Sequence, residues 1–203
     1  MRFLACAFLF FSLMACSTRP TAPEGLNLIS ESQYHGIVDR YTQRSQKYSG
    51  LYNTMDVTAT LVNSAVARAQ ADQKARLLQW APNNYSSELE KLKKDLKNET
   101  TVFVSFYTPD KKNDDLQKMT TQWRVYLEAE GRRWEPKIMK IRQPVAETQG
   151  LYAYHTRFST AYVMTFPVAT TTIDGVNSRF IITGPLGIST LDYKPVDATL
   201  IQP

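Results

Sequence analysis

Thr54-Met55-Asp56-Val57-Thr58-Ala59-Thr60-Leu61 decides the fold class. Met55, Val57, Ala59 and Leu61 alternate with Thr54, Asp56, Thr58 and Thr60. Side chains alternate across a strand, so this period of two predicts a strand with one buried face and one polar face. The β-branched residues fit that reading. Upstream, Ser30-Glu31-Ser32-Gln33 has capping-box spacing, and Tyr34, Ile37, Val38, Tyr41 and Tyr48 recur at helical spacing. The pattern predicts a helix from about Glu31 to Tyr48, stopped by Ser49-Gly50. Downstream, Ser64 to Gln79 is rich in Ala, Arg, Gln and Leu and predicts a helix broken by Pro82-Asn83-Asn84. Ser87 with Glu90 then caps an amphipathic helix carrying Leu89, Leu92 and Leu96 to about Asn98.

From Thr100 onward the sequence reads as β. Strands are predicted at 101–107, 123–128, 136–141, 161–166, 178–183 and 188–193, with turns at Glu130-Gly131, Asp174-Gly175 and Gly184-Pro185-Leu186-Gly187. The expected fold is α+β. It is a β-sandwich of about seven strands, immunoglobulin-like in architecture, with an N-terminal helix and a two-helix insertion after the first strand. The insertion disfavours a lipocalin-like barrel, whose strands follow one another in simple succession.

The chain has 203 residues, 43% of them hydrophobic, which is enough for a core and too apolar for disorder. Its first residues set its address. Arg2 precedes Phe3 to Met14, a run without a charge. That is the charged n-region and apolar h-region of a secretory signal, too short to span a bilayer. The run ends in Leu13-Met14-Ala15-Cys16, which resembles the lipobox of bacterial lipoproteins. The resemblance implies cleavage between Ala15 and Cys16, diacylation of the Cys16 sulfur and no remaining cofactor or metal thiol, since Cys6 leaves with the signal. Ser17 after the acylated cysteine implies, by the sorting rule of that family, an outer-membrane protein held by its lipid and facing the periplasm. Residues 1–15 are then a signal, 16–29 the lipidated cysteine and a Pro- and hydroxyl-rich tether, and 30–203 one domain, helical mainly over 31–98 and β-rich over 100–193. Such a tether could hold the domain roughly 25 Å off the surface at about 3 Å per residue. The Tyr107-to-Asp110 turn and the Trp123 strand are similar to those of uncharacterised envelope lipoproteins, a likeness that implies no activity.

Tests for chemistry exclude more than they find. His35 and His155 are the two histidines, too few for a zinc site without a cysteine. No Gly-x-Ser-x-Gly, Gly-x-x-x-x-Gly-Lys or Gly-x-Gly-x-x-Gly occurs, and no enzyme is expected. Asp110, Asn113, Asp114 and Asp115 offer oxygens, but the interleaved Lys111 and Lys112 favour a cap by Asp110 or Asp114 on a short helical turn containing Leu116 and Met119 over a calcium loop. Glu128 and Glu130 read as solvated. The net charge of +5 points to acidic envelope neighbours rather than nucleic acid in an exported protein. Trp134 and the Tyr152-Ala153-Tyr154-His155 loop are the expected exposed contact surface for an envelope protein or polymer. The function expected is thus that of a lipid-anchored binding or structural module. The alternatives are a small-ligand or lipid carrier with an apolar cavity between the sheets, and an envelope hydrolase without a recognisable motif.

Overall fold

A computed structural model describes residues 20–197 and Thr199. The signal segment, Ala15 and Cys16 lie outside the described residues. The fold is α+β: two antiparallel sheets and, among the described residues, nine strands and five helices. The elements run α1 (Glu31–Arg40), β1 (Thr42–Ser49), β2 (Tyr52–Val62), α2 (Ser64–Leu77), α3 (Pro82–Asn98), β3 (Thr100–Tyr107), β4 (Arg124–Ala129), β5 (Arg132–Trp134), β6 (Lys137–Lys140), α4 (Val145–Gln149), β7 (Thr160–Phe166), α5 (Thr170–Asp174), β8 (Ser178–Gly184) and β9 (Gly187–Tyr193). One sheet has the order β1-β2-β3-β7-β6 and the other β5-β4-β8-β9.

The alternation in β2 is realised as written. Met55, Val57, Ala59 and Leu61 enter the core between the sheets and the threonines face away. Val102, Val104 and Phe106 of β3 and Tyr162, Met164 and Phe166 of β7 complete that wall. Val125, Leu127, Phe180, Ile182, Leu191 and Tyr193 form the opposite one. Large side chains fill the space: Phe106, Tyr162, Phe166 and Phe180 are fully buried there, and Phe166 meets Phe180 edge to face. These side chains pack against one another between the two sheets. Tyr193 Oη donates to the Ala59 carbonyl at 2.8 Å and ties the sheets together across the core.

The expected helix over 31–48 is corrected to a shorter helix and a strand. The Ser30–Gln33 capping box forms as predicted, but α1 ends at Arg40, where Thr42 Oγ1 donates to the Val38 carbonyl. Thr42 to Ser49 instead pairs with β2 as a hairpin, with Gly50 at φ 60° in the turn. The strand is polar, as an edge strand must be to resist pairing with other chains. The expected count of about seven strands rises to nine through β1 and β5. The β4–β5 hairpin turns at Glu130-Gly131, both at positive φ, the geometry of a two-residue hairpin turn. Helix α2 ends at Leu77, before Pro82-Asn83-Asn84, and α3 already begins at Pro82, in the first turn where its missing N–H costs nothing, so Ser87 lies inside α3 instead of capping it. The two-helix insertion lies where predicted, between β2 and β3. Asp110 does act as a cap, its side chain accepting from Lys112 N, but over the 3-10 turn Lys111–Asn113 rather than over a helical turn containing Leu116 and Met119.

One end of the outer face of the five-stranded sheet is covered by helices, and the other end is left open. Helix α2 is alanine-rich and buried on most sides, wedged among α1, α3 and the sheet. The chain before α1 is bound too. Leu26 and Leu28 pack with Trp80, Tyr85 and Leu89, and Ile29 N donates to Asp72 Oδ2 at 3.0 Å. Residues 26–29, read from the sequence as part of a tether, thus pack against the helices. The outer face of the four-stranded sheet carries the ion pairs Arg133–Glu128 and Arg179–Asp192.

A candidate binding cleft on the five-stranded sheet

Strand register builds the cleft. Arg44 lies opposite Thr58, and Thr58 opposite Ser105. One step along, Gln46 lies opposite Asp56, and Asp56 opposite Tyr107. Directly paired residues point to the same face, so the alternation that buries Met55 and Val57 raises two polar rows on the other side. The segment after α4 forms the facing wall with Tyr154, Thr156, Phe158 and Ser159. The cleft has a volume of about 330 Å³ and is open to solvent.

The wall is pinned. Tyr152 stacks on Phe103 with ring centroids 3.6 Å apart, and Gln70 Nε2 donates to its hydroxyl at 2.8 Å. Tyr34 Oη donates to the Leu151 carbonyl at 2.6 Å. Tyr154 Oη shares a hydrogen with Thr60 Oγ1 at 2.6 Å. Gln149 Nε2 donates to the His155 carbonyl at 2.8 Å. Burial pushes the Tyr152 phenol up to about 12 and raises that of Tyr154 as well, so both stay protonated at neutral pH.

The floor is polar and ordered. Arg44 Nε donates to Asp56 Oδ1 at 3.1 Å, its second contact reaches Oδ2, and Gln46 Nε2 donates to Oδ2 at 3.0 Å. Ser105 Oγ and His155 Nδ1 are hydrogen-bonded at 2.9 Å, and both residues are almost wholly buried. Desolvation holds the imidazole below its ordinary value of 6.5, so it is neutral at pH 7. Asn53 also lines the cleft, and its Oδ1, shielded from solvent, has no hydrogen-bond partner. Such an atom is an acceptor awaiting a donor. Tyr107 and the exposed Phe158 supply aromatic faces, with Lys111 5.9 Å from the Tyr107 ring centre and Arg157 4.9 Å from that of Phe158. Beyond Asn53 the β1–β2 tip exposes Tyr48, Leu51 and Tyr52.

The residues expected as an exposed contact surface are distributed differently. Tyr152 and His155 are buried against the sheet, because Phe103 and Ser105 hold them. Tyr154 lines the cleft. Trp134 is half-buried on β5 and packs against the core between the sheets, away from the cleft. The sequence reading missed Arg44, Gln46, Asn53, Asp56 and Ser105. Arg44 and Gln46 sat in the segment read as helix, which hid their shared face. Gln43-Arg44-Ser45-Gln46-Lys47 is polar throughout, so no alternation in that segment marks it as a strand.

Asp114 turns inward to accept from Tyr162 Oη at 2.8 Å and Thr160 Oγ1 at 2.5 Å, with Lys140 Nζ at 3.3 Å. Among the described residues no group of His, Cys, Asp and Glu is placed to hold a metal ion. No described helix is long and apolar enough to cross a membrane. No family model matches the chain, and neither a curated protein nor a solved structure is significantly similar to it.

Proposed function

We propose that the chain is an exported lipoprotein, anchored to the outer membrane through Cys16, whose periplasmic domain binds a hydroxyl-rich envelope polymer in the cleft of Arg44, Asp56, Tyr107 and Phe158. The observation carrying this reading is the cleft itself: two register-fixed polar rows facing a pinned wall, with the unpaired Asn53 acceptor inside it. Amide, hydroxyl, guanidinium and carboxylate groups beside aromatic faces match the alternating hydroxyls and C–H patches of a sugar chain. The exposed Tyr48 and Tyr52 continue that surface along an extended ligand. A two-sheet frame of loosely immunoglobulin-like kind suits the role, since a rigid sheet holds the polar rows in place.

The hydrolase reading has one observation in its favour, the Ser105–His155 hydrogen bond at the floor. A serine nucleophile needs a neutral base beside it, and this imidazole is neutral. Binding is preferred because the pair is closed off almost completely, whereas the groups that reach the cleft suit recognition.

The test has two arms. Intact mass of the protein extracted from envelopes, beside Cys16→Ala, reports the anchor through acyl mass that disappears in the variant. Co-sedimentation with purified envelope polysaccharides reports binding. Arg44→Ala and Phe158→Ala are expected to weaken it while leaving the anchor intact. Equal retention of both variants and the native chain would reject the cleft. Labelling of Ser105 by a fluorophosphonate, lost in Ser105→Ala, would replace binding with hydrolysis.

A further inference from the structure

An apolar groove lies at the C-terminal turn of α2, beside α4. It has a volume of about 550 Å³ and is lined by Leu77, Leu78, Ala146, Gly150 and Leu151, with Lys74 among its polar neighbours. Leu78 is 63% and Leu77 39% exposed, a poor arrangement for side chains with no neighbour to cover them. Gly150 keeps the groove open, since a Cβ there would come within 3.0 Å of Leu77 Cδ1.

The chain arrives at this place. Gln79, next to Leu78, donates through Nε2 to the Thr21 carbonyl at 3.0 Å. Arg76 holds the Ile29 carbonyl, and Leu26 and Leu28 pack beside Trp80. Thr21 is therefore fixed at the end of α2, five residues after Cys16. Five Cα steps reach at most about 18 Å when fully extended. A membrane that holds Cys16 must lie close to Leu77 and Leu78.

We propose that this groove face is the domain's seat on the bilayer: Leu77, Leu78 and Ala146 enter the headgroup boundary of the membrane that carries the Cys16 acyl chains. The inference rests on the reading of Cys16 as acylated. Exposed leucines beside a lysine have the chemistry of an interfacial contact, the apolar groups buried at the acyl boundary and the Lys74 ammonium rising to the phosphates. Glu147 and Gln143 also line the groove and belong at its wet margin. Contact of this kind turns a loose tether into a fixed orientation, because two points of attachment restrict rotation.

The acylated full chain in vesicles of phosphatidylethanolamine and phosphatidylglycerol tests it by amide hydrogen exchange. Residues 74–80 and 143–151 are expected to gain protection on vesicles relative to the Cys16→Ala chain without lipid. Leu78→Asp, whose side chain is exposed, should lose that protection while flotation with the vesicles persists; Ala146→Asp serves as a second variant on the other wall. An anchored native chain with no protection there, or with protection at Tyr48 to Tyr52 instead, would overturn the proposal and leave the anchor standing. Protection already present in acylated protein without vesicles would assign the groove to the chain's own lipid and overturn it equally. Absence of acyl mass would sink the anchor reading, and the patch is then judged on the Cys16→Ala chain at high lipid. Protection of 74–80 in that arm supports the seat, and none refutes it.

Discussion

Gly184→Ala is expected to destabilise the domain although alanine suits a strand end better than glycine. Gly184 closes β8, and a Cβ added there would overlap the Trp123 indole, 2.6 Å from Cδ2 and 2.8 Å from Cζ3. The ring has nowhere to go. It is 3% exposed, meets Phe106 edge to face at 5.4 Å, and donates through Nε1 to the Asn113 carbonyl at 2.9 Å. Relief requires moving the indole off that bond or displacing β8 from β4. Overpacking of this kind costs about 1–3 kcal/mol. In a domain of this size that corresponds to a melting point roughly 2–10 °C lower. Urea unfolding followed by circular dichroism reads it as a lower midpoint at unchanged slope. In a Trp123→Ala background, which removes the atoms that collide, the same substitution should cost little, so the two changes would combine non-additively. An unchanged midpoint for Gly184→Ala in the native background would refute the packing described for that end of the core.

Three further outcomes follow from the same geometry. Tyr193→Phe removes the hydroxyl that joins β9 to the Ala59 carbonyl and should cost about 0.5–1.5 kcal/mol in denaturant unfolding, a typical buried hydrogen bond. Asp114→Ala strands the Tyr162 hydroxyl and the Lys140 ammonium and should cost about 1–3 kcal/mol, with Asp114→Asn recovering part through its remaining oxygen. Stability should fall as pH drops below 6.5. Burial keeps His155 deprotonated in the folded state after the unfolded chain has taken up its proton, so this contribution is whole above 6.5 and is lost down to the depressed folded value. Unfolding midpoints at pH 7.5 and 5.5 check it, and His155→Gln should flatten the difference.

The readable parts of this sequence were those whose pattern is set locally. Residues 54–61 alternate because one face meets the core, and the strand formed with that face inward. The Ser30–Gln33 box and the Asp110 cap are likewise decided within four residues. What escaped depends on distant partners. Thr42 to Ser49 has no apolar face of its own, and its strand state comes from pairing with β2. Tyr34, Val38 and Tyr41 kept their helical spacing because all three bury in one cluster, while Tyr48, at matching spacing, lies exposed on the strand. The five-residue helices α4 and α5 are too short to display a period. Tyr152 and His155 looked like surface aromatics, since nothing nearby in sequence names Phe103, Gln70 or Ser105 as their cover. The cleft was illegible for the same reason: its two rows exist only once β1, β2 and β3 are in register.

The central claim is that ligand enters between the β1–β3 rows and the 154–159 wall. Amide NMR of the domain during titration with soluble envelope glycan fragments tests it most directly. The account predicts saturable shifts concentrated at Arg44, Gln46, Asn53, Asp56, Tyr107 and residues 154–159, with the four-stranded sheet unmoved. Shifts confined to the Glu128, Arg133, Arg179 and Asp192 face, or none at saturating fragment, would contradict it.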